Sequence, residues 1–220
     1  MSPEPAIKFP PPDVLHDIDW RLYSRLLRAF EIRRVRLTYD RGTLEIVSPE
    51  FQHESLVHRL SACINVLTEE LNLPVRGGGS VTLRRRRYQR GVDPDSCFWI
   101  GSVQRMLGRQ DLDLRSDPPP DLVVEVDVPN RLLNRMSIFA ALGVPEVWRL
   151  SADELICNVL VAGRYQVRAH SVAFSRLASA DLAPFLDQQG QTDDTSIVRQ
   201  FREWVRQKLC PGAAPFRPLH

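Results

Sequence analysis

Residues 121–127, Asp-Leu-Val-Val-Glu-Val-Asp, decide how this chain folds. Leu122, Val123, Val124 and Val126 make a short apolar run of strand length, rich in β-branched residues, and such a run predicts a central strand buried on both faces. Glu125 interrupts it. A carboxylate buried without a partner is strongly unfavourable, so something must compensate for it. Residues two apart on a strand share a face, which sets Asp127, and Asp121 if the strand reaches that far, on the same side as Glu125. A salt bridge to one of the many arginines is one way to satisfy the acid.

A second acid lies upstream in 92–100, VDPDSCFWI, where Asp95 stands just before an apolar strand. Alone, an acid after Pro94 reads as a turn residue. Two strands of one sheet that each carry an acid at a similar level can converge both carboxylates on a hard divalent ion such as Mg²⁺, which prefers oxygen ligands and keeps several waters. That ion can polarise a phosphate oxygen and activate a bound water.

Working outward, Asp19 can N-cap a helix running to Phe30, with Tyr23, Leu26, Leu27 and Phe30 on one face. RVRLTYD and TLEIVS alternate around a turn at Asp40 to Gly42 and predict a hairpin. Ser48 and Pro49 open a long helix to about Leu71, with His53, Leu56, Leu60, Ile64 and Leu67 facing a core. SVTLRRRRYQ predicts a strand that passes through Gly91 into the neighbouring DPDSCFWI strand. A helix ending at Gly143 follows LVVEV, then three strands, the last two joined at Ala162 and Gly163, and a final helix from about Thr195 carrying Val198, Phe201, Val205 and Leu209. The fold class is therefore α/β, a mixed sheet with helices against it. One domain spans 13–209, between a proline-rich lead-in over 1–12 expected to be disordered and a loose tail over 210–220.

Composition narrows the setting. The 220 residues carry 29 Lys and Arg against 27 Asp and Glu, so any nucleic-acid footprint has to be local. Cys63, Cys97, Cys157 and Cys210 form no CxxC pair and follow no signal-like N-terminus, which favours reduced thiols in a cytoplasmic protein over disulfides or a zinc site. No apolar run has membrane-spanning length. Lys8 and Lys208 are the only lysines, and the folded middle has none.

RLTYDRGTLEIVSP, QHE opening a helix, GGGSVTLRRRRYQRGVDPDSCFWI, PPDLVVEVD and IFAALGVPEVWRL, in that order, resemble the Uma-two family, a branch of the PD-(D/E)XK nuclease superfamily. The resemblance runs from about Trp20 to QFREWVRQ. It implies a restriction-endonuclease-like fold, a central mixed β-sheet flanked by α-helices, and metal-dependent phosphodiester hydrolysis. Asp95 then matches the family's first acid and Glu125 the second, and together they would hold the metal, with help from the Val126 carbonyl. The superfamily's lysine lies two residues after the second acid, where this chain has Asp127. In many family members the basic residue moves to the following helix, one turn before an aromatic; Phe139 marks that aromatic and Arg135 the basic position, with Asn134 beside it.

An arginine stays protonated, so Arg135 could stabilise charge on phosphorus but could not act as a base. Its alternative is an ion pair with Glu125 or Asp127, or a solvated place on the helix. His53 and Glu54 match a helix-start position where the family places polar residues near the metal; each also has a structural reading, His53 at the edge of a core and Glu54 against the helix dipole. On a strand Arg84, Arg86 and Tyr88 would share a face and could contact a nucleic-acid backbone; the alternative is a solvated edge strand that uses charge to prevent aggregation. Together these residues predict a cytoplasmic Mg²⁺- or Mn²⁺-dependent endonuclease acting on DNA, with a homodimer open as its assembly and no membrane partner. The alternatives are a nuclease fold that binds nucleic acid or a protein without cutting, and hydrolysis of another phosphate-containing substrate.

Overall fold

The computed structural model describes residues 12–32, 35–128, 131–151, 154–186 and 192–210. The lead-in and tail lie, apart from Pro12 and Cys210, outside the described residues. In chain order the elements begin with β1 (Asp13–Leu15), α1 (Trp20–Phe30), β2 (Arg36–Asp40), β3 (Thr43–Val47) and α2 (Phe51–Glu70). β4 (Arg76–Gly77), β5 (Leu83–Arg85), β6 (Arg90–Val92), β7 (Ser96–Trp99) and β8 (Leu122–Val126) follow. The chain continues with α3 (Arg135–Leu142), β9 (Glu146–Ser151), β10 (Glu154–Val161), β11 (Arg164–Arg168), α4 (Ala183–Leu186) and α5 (Asp194–Lys208).

A six-stranded mixed sheet, ordered β11-β10-β9-β8-β7-β4, forms the centre. Among its pairs only β8 and β9 run parallel. β8 is buried along its whole length. One of its faces presents Leu122, Val124 and Val126 to α2, α4 and α5; the other presents Val123 to a core that includes Ile138, Phe139 and Leu142 of α3. Glu125 faces α3.

Local signals set most elements. The Leu22 N–H donates to Asp19 Oδ1 at 2.7 Å, which caps α1 as its sequence predicts. Gly143 ends α3 at φ 81°, a conformation that favours glycine. α5 buries Ile197, Phe201 and Val205, with Leu209 buried just after its end, while Val198 is only partly covered. Among the described residues the cysteines are free, and no helix is long and apolar enough to cross a membrane.

Two expectations are corrected. A second, antiparallel sheet, β1-β3-β2-β6-β5, carries the hairpin of β2 and β3 and packs α1 on one face through Tyr23, Leu37, Tyr39 and Leu44. The arginine-rich segment belongs to this sheet, so β5 and β7 are not neighbours. Nor is 80–89 one strand. β5 stops at Arg85, residues 86–88 make a short 3₁₀ turn, and Gln89 takes φ 50° to close a hairpin onto β6. Gly91 lies within β6 and against Tyr23; an added Cβ would fall 2.1 Å from the Tyr23 hydroxyl.

Candidate active site

The register of β7 and β8 brings the two acids together. Ser96 lies opposite Val124, so Asp95 stands opposite Glu125. The Asp95 N–H donates to Glu125 Oε1 at 3.2 Å, and Asp95 Oδ2 accepts the Val126 N–H at 2.8 Å. His53, on the first turn of α2, places Nε2 3.1 Å from the same Oδ2. Asp95 Oδ1 is buried and has no hydrogen-bond partner among the described residues.

Arg135 is the first residue of α3, whose start is capped by Asn134 Oδ1 accepting the Ser137 N–H at 3.1 Å. Its guanidinium reaches back to β8 and donates from Nε and Nη2 to both oxygens of Glu125, at 2.6 and 2.7 Å. Nη1 donates to Thr38 Oγ1 at 2.9 Å and Nη2 to the Asp93 carbonyl at 2.8 Å, while the Phe139 ring lies beneath at 5.6 Å. The ion-pair alternative for Arg135 is therefore the one the structure holds, with Glu125 as partner. Asp127 pairs instead with Arg149 at 3.2 Å.

These groups titrate against burial. Burial works to raise Asp95, but the bond and charge of His53, with Arg135 and Arg131 beyond, hold it down at about 2. For His53, burial favours the neutral ring, yet Asp95 and Glu54 outweigh it and raise its pKa. Burial raises Glu125, and the Arg135 charge only partly offsets this. Arg135 itself is held above its ordinary value because Glu125 overcomes the effect of burial. Asp93 is raised by burial despite accepting from the Thr82 hydroxyl at 2.6 Å and the Leu37 N–H at 2.8 Å.

Glu125, Asp127, Arg131, Asn134, Arg135 and Arg149 line a cavity of about 550 Å³. Arg131 was not among the residues singled out from sequence, nor were Thr38 and Glu45. Glu45 is fully buried and accepts the N–H groups of Leu132 and Leu133 at 2.6 and 3.1 Å, which fixes the segment that carries Arg131. The clue to both β-hairpin residues was their pairing: Thr38 and Glu45 are cross-strand neighbours on the face away from α1.

The remaining candidates lie further out. Glu54 is half exposed, bonded by Arg36 at 3.1 Å and 3.7 Å from His53 Nδ1. Asp121 is away from the acids: its carboxylate accepts from Ile100 N–H, Ser102 N–H and Ser102 Oγ. Arg84 and Arg86 line a groove of about 390 Å³ with Trp20 and Arg28, and neither Asp95 nor Glu125 belongs to its walls. Arg84, Arg86 and Tyr88 do not share a strand face, because β5 ends at Arg85 and Arg86 and Tyr88 lie in the 3₁₀ turn; Tyr88 packs against the core, its ring 5.5 Å from the Arg85 guanidinium.

Among the described residues, no group of three or more His, Cys, Asp or Glu side chains is arranged to hold a metal ion. A two-carboxylate site for a hard, largely hydrated ion does fit. An anionic oxygen buried without a partner calls for a bound ion or water, and Asp95 Oδ1 is such an atom beside a second carboxylate.

The profile of one family, Uma2, described as "Putative restriction endonuclease", matches residues 20–192. Among solved structures, the chain is similar to one described as a putative nuclease belonging to DUF820 from Anabaena variabilis, at 16% identity and a TM-score of 0.46, covering 68% of this chain and 90% of that one. No curated protein matches the chain.

Proposed function

The chain belongs to the Uma2 family, and from that premise we propose that it is a cytoplasmic, metal-dependent endonuclease hydrolysing DNA phosphodiester bonds. The observation that carries this reading is the unpartnered Asp95 Oδ1 set beside Glu125 at the β7–β8 register. Asp95 and Glu125 would hold Mg²⁺ or Mn²⁺. A bound divalent ion supplies Lewis acidity at phosphorus and a water of lowered pKa. His53 orients Asp95 and keeps it ionised. Arg135 fixes the rotamer of Glu125 and balances its charge from within the protein. Glu54 acts one contact further away, through His53 and Arg36. Arg84 and Arg86 offer positive charge to a DNA backbone away from the cleavage point, which would give affinity without sequence recognition.

A second reading, a nuclease fold that binds nucleic acid without cutting, is favoured by one observation: Arg135 already contacts both oxygens of Glu125. Incubation of supercoiled plasmid with the protein in Mg²⁺, Mn²⁺ or EDTA separates the two. Metal-dependent nicking that is lost in Asp95→Asn supports the nuclease. Retained DNA binding with no nicking under any metal favours the second reading.

A further inference from the structure

We propose that Arg131, and not Arg135, is the residue that meets the substrate phosphate, making the cavity beside Glu125 a phosphodiester-binding site; this rests on the nucleic-acid reading of the same acids. A guanidinium has five N–H donors. Arg135 spends four hydrogen bonds on Glu125, Thr38 and Asp93, and it is 6% exposed. Turning it toward a substrate would strip a buried carboxylate of its counter-charge. Arg135 is a positioning residue.

Arg131 is less committed, with a side chain that is 13% exposed. It lines the same cavity as Glu125, and among the described residues its one polar contact is from Nη1 to Glu45 Oε1 at a loose 3.5 Å. The other Glu45 oxygen is committed to the Leu132 and Leu133 N–H groups. Glu45 thus anchors the backbone next to Arg131 and takes only one of the guanidinium's N–H groups. The remaining N–H groups form a planar fork suited to two phosphate oxygens. Arg149 also lines the cavity, but its charge is matched by Asp127. Placing a phosphate against Arg131 sets it in the cavity that Glu125, one of the two proposed metal-holding carboxylates, also lines.

The experiment measures binding and cutting separately on wild type, Arg131→Ala, Arg131→Gln, Arg131→Lys and Arg149→Ala. Anisotropy of a fluorescein-labelled DNA duplex is followed in EDTA across a KCl series, alongside thermal unfolding and Mn²⁺-dependent cleavage. Loss of one phosphate contact should lower the slope of log affinity against log salt by about 1 in Arg131→Ala and Arg131→Gln. Arg131→Lys should restore most of the slope, Arg149→Ala should change it less, and any fall in unfolding temperature in Arg131→Ala should be recovered in Arg131→Lys. Unchanged slope and affinity in Arg131→Ala and Arg131→Gln overturn the proposal, even if the wild type cuts DNA. So does a loss of folded stability in both variants that Arg131→Lys does not repair. If wild type binds with an Arg131-dependent slope yet never cuts, the phosphate site stands and the nuclease reading falls; a wild type that binds no DNA overturns both.

Discussion

Asp95 and Glu125 brace each other across two strands: the Asp95 N–H donates to the Glu125 carboxylate, and the Asp95 carboxylate accepts the N–H of Val126, the residue after Glu125. Both acids are therefore positioned by sheet register rather than by flexible loops, which holds two like charges close in a core that would otherwise expel them. His53 from α2 and Arg135 from α3 add positive or hydrogen-bonding partners from two helices. Each side chain in this set constrains another, so single truncations are expected to leave a charge stranded.

Arg135→Ala should be among the most destabilising single changes in the chain. It strands Glu125 in a buried site, and breaking a buried pair by removing one partner costs about 3–5 kcal/mol. Replacing both partners with apolar residues, Glu125→Leu with Arg135→Met, should cost much less than the two single changes added together. Urea unfolding of the four proteins checks this. Additive losses would mean that the pair is not coupled.

Gly91→Ala should destabilise by about 1–3 kcal/mol, because a Cβ there meets the Tyr23 ring and its hydroxyl. The Tyr23 hydroxyl is buried without a hydrogen-bond partner among the described residues. Tyr23→Phe should therefore be neutral or slightly stabilising, and should recover part of the Gly91→Ala loss when combined with it. Thermal unfolding of the two single variants and the double variant is the check. A double variant as unstable as Gly91→Ala alone would point to the backbone, not the hydroxyl, as the source of the cost.

Glu70 gives a pH prediction away from the site. Burial works to raise its pKa, but Arg206 and Arg202 of α5 outweigh it, donating to Glu70 at 2.6 to 3.0 Å, and the net shift is downward. A carboxylate whose folded pKa is depressed adds stability above its unfolded value, near 4.5 for this group, and loses that stability as pH falls through the folded value. Glu70→Gln should accordingly be less stable than wild type by about 1–3 kcal/mol at pH 7. The gap should shrink steadily below pH 4.5. A constant gap in urea unfolding across that range would show that the ion pair contributes nothing.

Much of this architecture was legible because its signals are local. Asp19 as a cap, the turn at Gly42, Gly143 as a stop and the apolar run around Glu125 each fix an element within a few residues, and Glu125 marked itself by breaking that run. The buried partners were less legible. Thr38 and Glu45 sit at the polar positions of an alternating hairpin, which suggests solvent, yet both are fully buried because the second sheet turns that face toward α3 and the Arg131 segment. The Arg86–Gln89 turn has no glycine or asparagine to announce it, and the need for glycine at position 91 comes from Tyr23 in another element. Arg131 carried no motif at all. Its place depends on the tertiary contacts of Glu45.

Calorimetric titration of Mn²⁺ into the wild type, Asp95→Asn and Arg135→Lys tests most directly whether the paired acids form a metal site. Asp95→Asn keeps the size of the side chain and removes the charge that would bind the ion, whereas Arg135→Lys keeps a cation near Glu125. The wild type should bind one Mn²⁺, Arg135→Lys should retain binding, and Asp95→Asn should lose it while remaining folded by circular dichroism. Equal Mn²⁺ binding by wild type and Asp95→Asn, or no Mn²⁺ binding by the folded wild type, would contradict the metal site.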